Sequence, residues 1–142
     1  MIIQNAKVYT EQKTFACREI RIQNDVFASE TDDPTAIDAG GCYAIPGLID
    51  MHFHGCMGYD ICDGTQEAIS QIAGYEASIG VTAIAPATMT LPADELEHIL
   101  SVAAAYRREP AAEGADLVGM NMEGPFISRV KKGAQDARNI IP

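Results

Sequence analysis

Apolar residues recur with two different periods along this chain, and the change falls near residue 46. Before it, Ile2-Ile3 through Tyr9 predicts one short strand. Thr14 through Ile22 predicts another, with Phe15, Ile20 and Ile22 as its apolar members. Gln23-Asn24-Asp25 supplies turn chemistry and Val26-Phe27-Ala28 returns. After the polar loop Glu30-Thr31-Asp32-Asp33-Pro34, Ile37 to Ile45 reads as one or two more strands broken by Gly40-Gly41. Residues 1–45 are too few for an independent core and read as a β-sandwich segment that needs other strands.

From residue 46 onward strands alternate with helices. Pro46-Gly47-Leu48-Ile49-Asp50-Met51-His52-Phe53-His54-Gly55 reads as a strand. Side chains alternate there, so His52 and His54 share one face with Asp50 beneath them, while Ile49, Met51 and Phe53 form an apolar back. A glycine-rich loop, Gly55 to Gly64, leads into an amphipathic helix with Ile69, Ile72, Ala73 and Ile79 on one face. Asp63 or Thr65 caps its start and Gly80 takes the position just past its end. Val81 to Thr88 predicts a second strand, ended near Pro86. A second helix runs from about Ala93 to Arg108, with Pro92 in its first turn and Leu96, Ile99, Leu100 and Ala103 as the buried stripe. His98 lies opposite that stripe and is expected to face solvent without a role.

The third strand, Asp116 to Glu123, sets Val118, Met120 and Met122 toward helices and turns Asn121 and Glu123 the way the histidines point. This β-α-β-α-β order calls for parallel strands with right-handed crossovers. A doubly wound sheet and a barrel both begin so. Polar groups at the C-terminal ends of separate strands favour the barrel. The expected fold is therefore α/β: a partial TIM (β/α)8-type barrel, its first three strands and two helices, over 46–142, preceded by the β-sandwich segment over 1–45.

Composition narrows the setting. The 142 residues are 47% hydrophobic, as in a globular protein, and carry a net charge of −10, which argues against a nucleic-acid partner. No apolar run reaches the roughly 18 residues of a membrane span, and the N-terminus lacks the features of a secretory signal. Neither membrane nor secretion is expected; the cytoplasm is. Cys17, Cys42, Cys56 and Cys62 lack CxxC spacing and read as free thiols. Cys56 reads better as a small buried filler than as a ligand. Arg129, Lys131, Lys132 and Arg138 concentrate positive charge near the C-terminus, fit either for a phosphate or carboxylate ligand or for a solvated loop.

Two imidazoles on one face suit a divalent metal, although two histidines that only cap a strand would look the same. Glu123 adds a carboxylate, making a partial set for zinc, iron or a similar ion. Such an ion polarises a carbonyl and acidifies water, which is hydrolytic chemistry.

The run from Pro46 to Gly55 resembles the first-strand signature of the amidohydrolase superfamily. Asn121-Met122-Glu123-Gly124-Pro125-Phe126-Ile127-Ser128, followed by Lys131-Lys132-Gly133-Ala134-Gln135-Asp136, is similar to the N-acetylglucosamine-6-phosphate deacetylases. This resemblance implies that Glu123 ligates the metal. It implies that His52 and His54 match the pair found in members able to hold a second ion. Ala134 matches a position whose backbone contacts the sugar phosphate, and Gln135 stands where the family usually has a substrate-binding histidine. Glutamine there can hydrogen-bond but cannot titrate.

The resemblance implies an enzyme that hydrolyses the acetamide of N-acetylglucosamine 6-phosphate with one or two divalent ions, zinc or iron. The family's catalytic aspartate is expected beyond Pro142, so none is assigned within this chain. Arg129, Lys131 and Lys132 are expected to attract the phosphate. As an N-terminal portion, the chain is expected to be inactive alone and to self-associate, a homo-oligomer, through an open sheet edge. The alternatives are another amidohydrolase, such as a cyclic-amide hydrolase or deaminase, and a non-catalytic self-associating fragment.

Overall fold

The structure, a computed structural model, describes residues 1–111 and 113–141 and divides into two units, Met1–Pro46 and Gly47–Pro142. In the first, β1 (Ile2–Tyr9) is the central strand. It pairs antiparallel with β2 (Phe15–Gln23), which in turn pairs with β3 (Val26–Phe27). The β2–β3 turn is Asn24-Asp25, both with positive φ (51° and 62°), the geometry a two-residue hairpin loop needs. On its other side β1 pairs parallel with β4 (Ala36–Asp38) and β5 (Tyr43–Ala44). Only Ala6 and Thr10 are buried in this unit.

The second unit holds three adjacent parallel strands in chain order: β6 (Leu48–Asp50), β9 (Val81–Ile84) and β11 (Asp116–Leu117). Between the first two come a small hairpin, β7 (Gly55–Cys56) with β8 (Tyr59–Asp60), and helix α1 (Gln66–Ser78). Beyond β9, β10 (Ala87–Thr88) pairs parallel with β12 (Asn121–Met122), and α2 (Ala93–Arg108) makes the second crossover. Thr65 caps α1 by accepting the Ala68 N–H at 3.1 Å, and the helix ends at Ile79 with Gly80 at φ +92°. Acidic residues open α2 and Arg107 and Arg108 close it, each matching the helix dipole.

The core lies between helices and sheet. Ile69, Ile72 and Ala73 of α1, Val81 and Ile84 of β9, and Ala103 and Tyr106 of α2 form one cluster with Leu117. Burying a side chain of isoleucine size contributes about 1.5–3 kcal/mol. Among the described residues no helix is long and apolar enough to cross a membrane.

Several expectations need correction. Ile79 ends α1 and is exposed, and Leu100 is only half-buried. His98 is exposed, yet its Nε2 lies 3.1 Å from the Gly64 carbonyl and ties α2 to the turn before α1. The histidine strand stops at Asp50. There the Asp50 carboxylate accepts the His52 N–H at 3.0 Å and diverts it from the ladder, while Ala87 N–H donates to Phe53 O at 2.7 Å and holds the chain beside β10. Of the expected apolar back, Phe53 packs on the core, but Ile49, on the edge strand β6, and Met51, just past it, are 63% and 69% exposed. The third strand also breaks, at Val118–Met120, and Val118 and Met122 are exposed where helices were expected to cover them.

Candidate metal centre

Three strand lines converge on one spot. His52 and His54 follow β6, Ala87 belongs to β10, and Asn121 and Glu123 lie on and just after β12. One nitrogen from each histidine and one oxygen of Glu123 lie within 4.8 Å of one another. Glu123 Oε2 is 3.2 Å from His54 Nε2 and 3.7 Å from His52 Nε2. Ligand atoms around a tetrahedral zinc with bonds of 2.0–2.2 Å stand about 3.4 Å apart. The carboxylate therefore already sits near the separation that a shared ion imposes.

The hydrogen bonds behind the rings give the arrangement its chemical sense. His54 Nδ1 lies 2.9 Å from the Ala87 carbonyl oxygen, which can only accept, so Nδ1 carries the proton. In the neutral ring Nε2 then turns a lone pair toward Glu123 Oε2, and two acceptors at 3.2 Å repel unless a cation lies between them. That cation is either a proton or a metal. Backbone carbonyls holding the far nitrogen of a ligating histidine are a recurrent feature of metal sites.

His52 is held differently. Asn121 Nδ2 donates to His52 Nδ1 at 3.0 Å and to the Met51 carbonyl at 3.3 Å. A proton on Nε2 suits that bond. Turning the Asn121 amide over would offer its oxygen to Nδ1–H and free Nε2 as a ligand. The residues present fit a divalent ion. His52 is exposed, whereas His54 and Glu123 are half-buried, so the ion would sit at an accessible rim.

The basic segment is mostly turned on itself. Arg129 donates to the carbonyls of Ala137 (2.7 Å) and Ile140 (2.8 Å), and Lys132 Nζ donates to that of Gln135 (2.8 Å). Arg138 forks onto Asp136 and, by that side-chain bond first, holds the Asp136 carboxyl down at about 2. The Lys131 N–H donates to the Ser128 carbonyl at 3.2 Å, and its ammonium has no hydrogen-bond or ion-pair partner among the described residues. Ala134 is exposed, while Gln135 is 3% exposed and turned inward: its Oε1 accepts the Thr90 N–H at 2.7 Å.

Cys56 and Cys62 are half-buried, and burial pushes both thiols up, away from the thiolate a metal would want. Sequence reasoning missed the Ala87 carbonyl and Thr90, because a backbone acceptor or a lone threonine leaves no pattern in a sequence. It placed Asn121 on the histidine face without giving it a partner.

No protein-family model matches the chain. Among curated proteins, an N-acetylglucosamine-6-phosphate deacetylase of Vibrio furnissii is 35% identical over 99 residues, covering 70% of this chain and 25% of that protein. The chain is a relative of the N-acetylglucosamine-6-phosphate deacetylases. A deacetylase of this name from Thermotoga maritima has a solved structure that covers 100% of this chain and 37% of its own, with a TM-score of 0.82 and 26% identity. An N-acetylgalactosamine-6-phosphate deacetylase of Escherichia coli O157:H7 is 27% identical over 134 residues, 94% of this chain and 35% of that protein. The chain thus spans between a quarter and about a third of the length of these curated deacetylases.

Proposed function

We propose that this chain forms the first three strands and two helices of a (β/α)8-type barrel enzyme that hydrolyses the acetamide of N-acetylglucosamine 6-phosphate, giving glucosamine 6-phosphate and acetate. The observation that carries the reading is the His54–Glu123 contact, two acceptors facing each other at 3.2 Å where a cation belongs. Glu123, His54 and His52 would hold one or two divalent ions, zinc or iron. Such an ion supplies Lewis acidity to the amide carbonyl and lowers the pKa of water toward ~7.

The chain's own residues do the positioning. Ala87 keeps the His54 proton on Nδ1, so that Nε2 is the nitrogen left to hold the ion, and Asn121 fixes the His52 ring. Lys131, the basic side chain left free on the loop, is the one suited to meet the phosphate, with the exposed Ala134 following in the same loop. Gln135, bound to Thr90, supports that loop instead of titrating. Hydrolysis also moves a proton from water to the leaving amine. The family resemblance gives that task to an aspartate, and no residue of this chain is assigned it. The exposed Ile49, Met51 and Val118 support burial against further protein, as in a homo-oligomer, and the substrate class and free thiols fit the cytoplasm.

Acetate release from N-acetylglucosamine 6-phosphate by the whole barrel enzyme of which this chain would be the first part, measured before and after chelation, tests this. Activity lost with the chelator, restored by zinc and absent in Glu123→Gln is the expected result. Activity that survives both treatments overturns it. The galactosamine epimer belongs in the same assay, because a relative named for it aligns with nearly the whole chain.

A further inference from the structure

Thr90 lies just past β10, 2% exposed, and every polar group it has is taken by one stretch of chain. Its hydroxyl donates to the Glu123 carbonyl at 2.6 Å. Its N–H donates to Gln135 Oε1 at 2.7 Å, and its carbonyl accepts from Asn139 Nδ2 at 3.1 Å. Gly124, with φ +108°, packs so closely on Thr90 that any side chain there would collide with its hydroxyl. The stretch itself is closed into a lobe: Ile141 N–H donates to Pro125 O at 3.0 Å, and Arg129 reaches across to Ala137 and Ile140.

We infer that Thr90 is the positioning residue for Glu123, pegging the closed lobe from Pro125 to Ile141 to the backbone that carries the carboxylate. The inference rests on the metal reading of His52, His54 and Glu123. A free Glu123 backbone could turn its side chain away from the two imidazoles. With its carbonyl held by the Thr90 hydroxyl and its neighbour Gly124 seated on the Thr90 side chain, the main chain that carries the carboxylate is fixed in place beside the two imidazoles. Gln135 and Asn139 hold Thr90 in turn, so the position of the basic lobe and the aim of the carboxylate are one mechanical unit. Groups that hydrogen-bond a ligating side chain directly are worth roughly 10–100-fold in metal affinity, and a bond to the ligand's main chain belongs at the low end of that range.

The test is zinc affinity, measured by competition with a chromophoric chelator, on the chain and on Thr90→Val, Thr90→Ser and Asn139→Ala. Thr90→Val keeps the shape and removes the donor; Thr90→Ser keeps the donor. The expected result is a zinc Kd about tenfold higher in Thr90→Val, near the parent value in Thr90→Ser, and raised in Asn139→Ala. The metal-free melting temperatures of parent and Thr90→Ser should differ little. Equal zinc affinity in Thr90→Val and the parent overturns the inference while leaving the metal reading in place. Should Thr90→Val not fold, unchanged affinity in Asn139→Ala overturns it instead. No zinc binding by the parent chain removes the metal reading, and this inference with it.

Discussion

His54 reaches from the segment after β6 to the next strand line, where its Nδ1 stands 2.9 Å from the carbonyl oxygen of Ala87. His52, two residues earlier, instead accepts a hydrogen bond at Nδ1 from the Asn121 amide N–H, 3.0 Å away. Two histidines that face one carboxylate, at 3.7 Å and 3.2 Å, therefore begin with opposite tautomers. Nitrogen-15 NMR of the imidazoles should find the His54 Nδ1 proton present both with and without zinc, the metal displacing only what occupies Nε2. His52 should change tautomer on zinc binding as the Asn121 amide turns. Asn121→Ala, which removes that partner, should weaken zinc by about tenfold. Two imidazoles titrating identically with zinc would contradict the assignment.

Glu76 is a carboxylate on the buried side of α1, 5% exposed. Burial, and secondarily the negative charge of Asp50, raises its pKa above the ordinary 4.5. The folded state thus keeps this proton at a pH where the unfolded chain has released it. With more protons bound when folded, stability falls as pH rises through and above the ordinary glutamate range. Glu76→Gln should therefore raise the melting temperature at pH 7, and the advantage should fade below about pH 4, where both states are protonated. A gain independent of pH would point to packing rather than charge.

The two helices were legible because their cause is local: an apolar period of 3.6, a Thr65 cap and Gly80 past the end. The parallel order of β6, β9 and β11 followed from alternation of element types alone. Strand lengths did not, since Asp50 takes the His52 N–H and the segment Val118–Met120 leaves the ladder. Exposure at Ile49, Met51 and Val118 was misjudged because an apolar residue announces that something should cover it, not what does. The basic run fitted either an anionic ligand or a solvated loop. Arg129 and Lys132 turned out to be engaged by backbone carbonyls and Arg138 by Asp136, contacts that span too few residues to form a pattern.

Two glycines should respond in opposite ways to alanine. Gly124 has φ +108°, and a Cβ there would meet Thr90 Cβ at 2.9 Å as well as its hydroxyl, so Gly124→Ala should destabilise by at least about 1–3 kcal/mol. Gly74 lies inside α1 with nothing within 4 Å of an added Cβ, and Gly74→Ala should stabilise by roughly 0.5–1 kcal/mol through helix propensity. Chemical denaturation of both variants checks the pair. Equal effects would mean that Thr90 yields to Gly124.

The lobe from Pro125 to Ile141 separates residues that hold it from one that is free to act. Arg129 ties its two ends through the Ala137 and Ile140 carbonyls, so in the whole proposed enzyme Arg129→Ala should speed proteolysis within the lobe and lower kcat/KM for phosphorylated and unphosphorylated sugar alike. The Lys131 ammonium holds nothing. Lys131→Ala should leave proteolysis unchanged while raising KM several-fold for the phosphorylated sugar only, the signature of lost binding without lost chemistry. Lys132, bound to the Gln135 carbonyl at 2.8 Å, should behave as Arg129 does and not as Lys131. An unchanged ratio of the two KM values in Lys131→Ala would remove phosphate attraction from the roles of this segment. Its basic residues would then be fasteners for the lobe that Thr90 anchors.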